Sequence, residues 1–223
     1  MKIVAIGSMP LDLELTSFGT LSKSVKNGHD VYLIVARDES WTESQIKAFA
    51  ECSKTIGISG VYFTDRFDYS AVTQSNASMI ASFIKTINPS LVIMPFWKDS
   101  NYKRKILAKT SLIACRGIGS IWMYQLEKNS SFSPNIHFVI SSTEASEKAA
   151  CLKIYSTHNK QTLNRNADNF ILDQSSTVLQ QVPQVYSNET FDIDSNQQEA
   201  AGINLFEGFE SHRTLLVDDT TNF

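Results

Sequence analysis

Short apolar runs alternate with helix-length stretches through the first half of the chain, and this alternation strongly constrains the fold. The runs at 2–6, 31–36, 61–63 and 91–94 are almost continuously apolar, as expected of strands buried on both faces. Such alternation implies right-handed crossovers and a mainly parallel sheet. The sequence therefore predicts an α/β fold, a Rossmann-like three-layer sandwich that binds ligands beyond the carboxyl ends of its strands.

The helices between these strands are predicted from apolar residues at helical spacing. They are expected at 16–26, after an N-cap at Thr42, at 70–87 and at 101–114. In the second half we predict strands at 118–126 and 136–140, then a helix that Thr143 caps and that runs to about 155. The later segments are predicted as helical pieces, a polar surface excursion, an apolar-spaced segment and a polar tail: 159–179, 180–198, 200–216 and 218–223. We assign 1–217 to one domain.

The bulk properties argue against several classes of protein. The net charge of -3 gives no indication of nucleic-acid binding, which favours a basic stripe. No apolar run reaches the roughly 18 residues that span a bilayer. The first residues are too soon interrupted for a signal peptide, so we expect a cytoplasmic protein. Cys52, Cys115 and Cys151 are far apart and predict reduced thiols in the core.

Two loops carry the residues of chemical interest. The first follows the first strand and reads Met-Pro-Leu-Asp-Leu-Glu at 9–14, with Gly-Thr at 19–20. The second follows the fourth strand and reads Asp-Ser-Asn-Tyr-Lys-Arg at 99–104. Both loops leave the carboxyl end of a predicted parallel strand, so we expect them to meet at one edge of the sheet.

These segments, in this order, resemble the GlcNAc-phosphatidylinositol de-N-acetylase (PIG-L or LmbE-like) family. The resemblance extends over nearly the whole chain. It implies a Rossmann-like fold and a zinc hydrolase that removes an acyl group from an amino sugar or a related substrate. Asp12 matches a zinc ligand of the family, and Glu14, Gly19, Thr20 and Asp99 also match its pattern.

Five other family positions are replaced. The resemblance places two further zinc ligands on Met9 and Arg104, the general base on Leu11, the catalytic histidine on Asn101 and an inner aspartate on Lys103. A catalytic zinc needs three protein ligands of the His, Asp, Glu or Cys type, and arginine cannot serve as one. Leucine cannot accept a proton from water. We therefore expect no metal, no cofactor and no catalytic residue.

A substitution for the lost metal follows from the charge of Arg104. A guanidinium at the vacated position would supply the cation that Asp12 has lost, and it could pair with that carboxylate in a bidentate manner. The hypothesis is that Arg104 replaces zinc as the counter-charge. Lys103 is the competing partner, and Asp99 could bind either cation.

The same loops predict a binding cleft. Its expected residues are Asp12, Glu14, Phe18, Trp97, Asp99, Asn101, Tyr102 and Arg104. Trp41, Phe96, Trp97 and Tyr102 are expected around this edge, where they could stack on a sugar, bind a partner or pack as loop core. Phe18 could narrow the cleft, offer a stacking face or pack against the sheet.

The leading interpretation is a non-catalytic pseudoenzyme. It would bind a sugar or sugar nucleotide, a protein partner or a second copy of itself, and the resemblance links it to glycan biosynthesis. One alternative is a metal-free enzyme that uses Asp12, Glu14, Asp99 and Asn101 on a sugar substrate. Another is an N-acetyl-sugar deacetylase whose zinc site has moved to residues such as His29 or His158.

Overall fold

The structure, a computed structural model, describes residues 1–64, 66–126, 131–158 and 205–213. Its strands are β1 Lys2–Gly7, β2 Asp30–Ala36, β3 Gly60–Thr64, β4 Leu91–Pro95, β5 Ser120–Tyr124, β6 Ile136–Ile140 and β7 Leu205–Arg213. Its helices are α1 Asp12–Thr16, α2 Phe18–Lys26, α3 Glu43–Thr55, α4 Gln74–Ile87, α5 Tyr102–Ala114 and α6 Ser142–His158. The predicted segments 159–179, 180–198 and 218–223 lie outside the described residues.

The strands form one sheet in the order β3-β2-β1-β4-β5-β7-β6. Neighbours from β3 to β5 are parallel, whereas β7 runs antiparallel to both β5 and β6. The predicted α/β sandwich with a mainly parallel sheet is therefore confirmed. The segment at 200–216, predicted only to have apolar spacing, contributes β7, which the sequence did not identify as a strand.

Helices cover both faces of this sheet. Ile3 and Ala5 of β1 join a core cluster with residues of α2, α3 and α6. Val4 and Ile6, which alternate with them, join a second cluster with residues of α4 and α5. Burial on both faces explains why the strands are apolar without alternation.

Three predicted helix starts differ from the structure. The helix expected at 16–26 begins at Phe18, and a short helix that was not predicted, α1, precedes it; the two are separated at Ser17, whose φ of -131° and ψ of -11° are not helical. The helix expected from 70 begins at Gln74, where the Thr73 side chain accepts the Asn76 N–H. Thr143 is not the cap of α6. Ser141 has that role, because its Oγ accepts the Thr143 N–H at 3.2 Å while Glu144 accepts the Ser141 N–H at 2.8 Å.

A buried carboxylate from β7 caps α2. The two oxygens of Glu207 accept the N–H groups of Gly19 at 3.1 Å and Thr20 at 2.7 Å, and Lys148 donates to one of them at 2.7 Å. A negative charge is favourable at a helix N-terminus. Position 19 requires glycine, because a Cβ there would lie 2.7 Å from Cδ1 of Ile140.

The predicted core thiols are confirmed, since Cys52, Cys115 and Cys151 are buried and form no disulfide with one another. Among the described helices, none combines the length and the apolar character needed to cross a bilayer.

Candidate functional site

The candidate site lies where β1 and β4 end. These strands are parallel neighbours, and β2 flanks β1 on its other side. The order in which successive strands are added to the sheet therefore reverses between β1 and β4. Ligands of open α/β sheets bind at such switch points. The loop after β1 leads into α1 with Asp12 at its start, and the loop after β4 leads into α5.

Asp12 has no exposed surface, and its carboxylate is fully engaged. Oδ2 accepts hydrogen bonds from the Ser8 N–H at 3.0 Å, the Ser8 hydroxyl at 2.6 Å and the Met9 N–H at 2.9 Å. Oδ1 accepts one from Nη1 of Arg104 at 3.1 Å. Burying a carboxylate is costly unless it is hydrogen-bonded and paired, and here the partners come from its own loop and from one cation.

Arg104 bridges two aspartates. Its side chain is 1% exposed, and its Nε lies 3.1 Å from Oδ1 of Asp99. The same Asp99 oxygen accepts the Asn101 N–H at 2.8 Å. The guanidinium thus contacts Asp12 through Nη1 and Asp99 through Nε. The result is a buried three-residue charge cluster, Asp12–Arg104–Asp99.

Lys103 does not compete for this cluster. Its Nζ donates to Oδ2 of Asp38 at 2.6 Å and to the Ser40 hydroxyl at 3.2 Å. It also lies 5.5 Å from the centre of the Tyr69 ring. Burial favours a higher pKa for Asp38, but hydrogen bonds and charge from Lys103 and Ser40 outweigh it and lower the pKa.

The residues at this position do not fit zinc. Asp12 has committed its oxygens, Met9 offers a thioether that prefers softer metals, and Arg104 is a fixed cation. In the described part of the chain, no three His, Cys, Asp or Glu residues come together in a way that could hold a metal. His29 immediately precedes β2, which places it at the opposite edge of the sheet from Asp12. The side chain of His158 lies outside the described residues.

The floor of the expected cleft is closed. Asp12, Glu14, Asp99 and Arg104 are all between 0% and 1% exposed. Phe18 is 0% exposed and packs 6.4 Å from the Phe49 ring, so it belongs to the core and offers no stacking face. A ligand can therefore reach only the layer above these side chains.

That surface layer consists of Met9, Trp97, Asn101, Tyr102 and Lys103. Tyr102 is 60% exposed, and the others are half-buried. The amide Nδ2 of Asn101 lies 4.0 Å from the Met9 sulfur, a weak acceptor, while Asn101 Oδ1 caps α5.

The predicted aromatic cluster divides between core and surface. Trp41 and Phe96 are 8% and 1% exposed. The Trp41 indole packs against Phe49 and Phe63 and donates to the Ser8 carbonyl at 3.2 Å, so it fixes the loop before Asp12. Trp41 and Phe96 thus serve as loop core, and a ligand could reach only the other two aromatic residues.

Glu14 is an acid in the core. Burial raises its pKa to about 8, against hydrogen bonds that include one from the Tyr155 hydroxyl. At neutral pH this carboxyl is therefore mostly protonated, and it joins α1 to α6 without adding a charge beside Asp12.

The sequence interpretation missed Asp38, Ser40 and Tyr69. Asp38 follows β2 almost directly, at the same edge as Asp12, so its position after a parallel strand was the available signal. Nothing comparable marks Tyr69, whose hydroxyl donates to the Ala36 carbonyl and holds the loop after β3 against β2.

The chain is similar over nearly its whole length to several solved structures. The hydratase GalB of Pseudomonas putida KT2440, which acts on 4-carboxy-2-hydroxymuconate, is 13% identical, with 99% of each chain covered and a TM-score of 0.76. A conserved protein of Thermus thermophilus is 15% identical, with 99% of each chain covered and a TM-score of 0.72. The N,N'-diacetylchitobiose deacetylase of Pyrococcus horikoshii is 14% identical over 95% of this chain and 84% of its own, with a TM-score of 0.65.

No protein-family model matches the chain, and no curated protein matches it in sequence. At these identities the structural likeness defines the fold. The chain has the fold of the sugar deacetylases that its motifs resemble, which confirms that expectation at the level of architecture. The same fold also occurs in a hydratase, so it does not determine the reaction.

Proposed function

We propose that this protein is a catalytically inactive, zinc-free counterpart of the sugar deacetylases, that it binds carbohydrate at the carboxyl edge of its sheet, and that it acts in glycan biosynthesis. The observation that carries the proposal is the buried charge cluster Asp12–Arg104–Asp99. Arg104 contacts Asp12 where the resemblance places a shared metal, at 3.1 Å from the retained aspartate.

Two features support the loss of hydrolysis. The carboxylate of Asp12 accepts three hydrogen bonds at Oδ2, and the cation at its Oδ1 is the guanidinium of Arg104 instead of a divalent ion. Leu11, at the general-base position, is a half-buried apolar residue held at φ 73°. Neither position can activate water, so removal of an acyl group has no chemical basis here.

Carbohydrate binding is supported by the surface layer. Tyr102 presents an exposed aromatic ring of the kind that stacks on sugar faces, and its chain neighbours Asn101 and Lys103 are half-buried polar residues. Solved structures of the same fold include enzymes of sugar substrates, such as the chitobiose deacetylase.

The test combines binding with turnover. We expect N,N'-diacetylchitobiose to bind in a titration monitored by NMR, and Tyr102→Ala to weaken that binding about tenfold. Val139→Ala, which truncates another exposed side chain on β6, is the matched control and should leave binding unchanged. No acetate should be released with added zinc. Chelator-sensitive acetate release, or a sugar that fails to bind, would contradict the proposal.

A metal-free enzyme acting on a sugar is the second candidate, and the occurrence of this fold in a hydratase shows only that the fold is compatible with reactions other than deacetylation. Its weakness is the burial of every acid that it would use. Asp12, Glu14 and Asp99 have no exposed surface. This candidate would be supported over the first if the chelator-treated protein released any product from a sugar and Asp99→Asn abolished that release.

A further inference from the structure

One face of the molecule is basic although the whole chain is not. The net charge of the chain is -3, yet residues 69–126 contain seven basic residues and a single acidic one. The acidic residue is Asp99, which is buried beside Arg104. Of the seven basic residues, Arg104 is buried with its aspartates and Lys103 pairs with Asp38, and the others are Lys85, Lys98, Lys105, Lys109 and Arg116.

The helices of this segment cover one side of the sheet. α4 and α5 pack side by side against the second core cluster, and neither contains an acidic residue. α3 and α6, on the other side, carry both signs and form ion pairs such as Lys47–Glu43 at 2.7 Å. Lys85 and Lys109 are exposed and Lys105 is half-buried, so their charges face solvent.

The basic residues of α5 form a stripe that begins at the candidate site. Tyr102, Lys105 and Lys109 have i, i+3, i+7 spacing, which places them on one helix face over about 10 Å. Next to its start, Lys98 Nζ lies 4.6 Å from the centre of the Trp97 ring. The aromatic residues Trp97 and Tyr102 thus lie at the mouth of the site, and Lys105 and Lys109 follow down the outside of α5.

We infer that the carbohydrate bound at this site is an acidic oligosaccharide, whose chain continues along the α5 stripe (Tyr102, Lys105 and Lys109). The inference rests on the proposed function, because the first sugar occupies the surface layer. The aromatic rings contact sugar faces, and the lysines pair with carboxylate or phosphate groups of the following units. Among polyanions, a glycan is favoured because the stripe is continuous with that layer.

The test compares ligands that differ in charge. We expect a tetramer of galacturonate to bind more tightly than the neutral tetra-N-acetyl form of chitotetraose, called chitotetraose below, in calorimetric titrations of the whole chain, with an affinity that falls as salt is raised. A phosphorylated chitotetraose distinguishes phosphate from carboxylate as the recognised group, and tight binding of either one supports the inference.

Matched variants locate the interaction. Lys105→Gln with Lys109→Gln should weaken the acidic tetramer about tenfold and leave chitotetraose unchanged. Lys47→Gln with Lys54→Gln removes the same charge from α3 on the opposite face and should change neither. Equal losses in both double variants would overturn the inference.

The remaining outcomes separate the two levels of the proposal. If chitotetraose binds and neither acidic tetramer binds more tightly, the inference fails and the proposed carbohydrate function stands. If no sugar binds, both fail. The inference would be overturned in favour of a different polyanion if a DNA duplex or phosphatidylserine vesicles bound more tightly than the acidic tetramers and the double variant Lys105→Gln with Lys109→Gln lost that binding.

Discussion

Replacing Arg104 with methionine is the perturbation that bears most directly on the charge cluster. The substitution keeps an unbranched side chain but leaves Asp12 and Asp99 without their shared cation, both at 0% exposure. Removing one partner of a buried ion pair costs about 3–5 kcal/mol. Asp12 keeps its three hydrogen bonds from Ser8 and Met9, which argues for the lower part of that range.

Urea unfolding monitored by circular dichroism measures the loss of stability in Arg104→Met. Adding Asp12→Asn and Asp99→Asn to Arg104→Met should recover at least half of the loss, because no unpaired charge is then buried. Lys103→Met removes the neighbouring pair with Asp38, whose side chains are 17% and 22% exposed, and should cost less than about 1 kcal/mol. A loss of stability below about 1 kcal/mol in Arg104→Met, or a triple variant no more stable than Arg104→Met alone, would contradict the argument from unpaired buried charge.

Two further predictions concern other buried positions. Burial raises the Glu14 pKa from 4.5 to about 8, so its contribution to stability falls as pH rises between these values, by up to about 5 kcal/mol. In urea unfolding, the stability of Glu14→Gln relative to the parent protein should therefore be higher at pH 9 than at pH 5. The same stability difference at both pH values would contradict this. Gly19→Ala should lose about 1–3 kcal/mol in the same assay because its Cβ meets Ile140 at 2.7 Å. Gly117→Ala, where nothing lies within 4 Å, is the control, and an equal loss in both would contradict the packing argument.

The fold was largely predictable because its signals are local. The apolar runs of β1, β2 and β4 are buried on both faces, and this alone distinguishes them from the strands of a half-exposed sheet. β7 was missed because glutamate and glycine interrupt its few apolar residues, and one of the glutamates, Glu207, is buried as a cap for a helix far away in sequence. Contacts of that kind leave no periodicity in the chain.

The sequence predicted which charged residues form the site, but not how deeply they are buried. The sequence indicated that Asp12 and Arg104 would meet, because both follow strands that end at one edge. It could not show that Arg104 divides its guanidinium between Asp12 and Asp99, or that Lys103 turns to Asp38 instead. Exposure depends on how the loops pack together, which is why Phe18 and Trp41 lie in the core while Tyr102 faces solvent.

In the proposal, Arg104 occupies the charge position of a metal. Calorimetric titration of the chelator-treated protein with zinc is the decisive measurement, with Asp12→Asn as the matched control. We expect no stoichiometric binding site and the same weak heats in both proteins. One zinc per chain with submicromolar affinity, lost in Asp12→Asn, would contradict it.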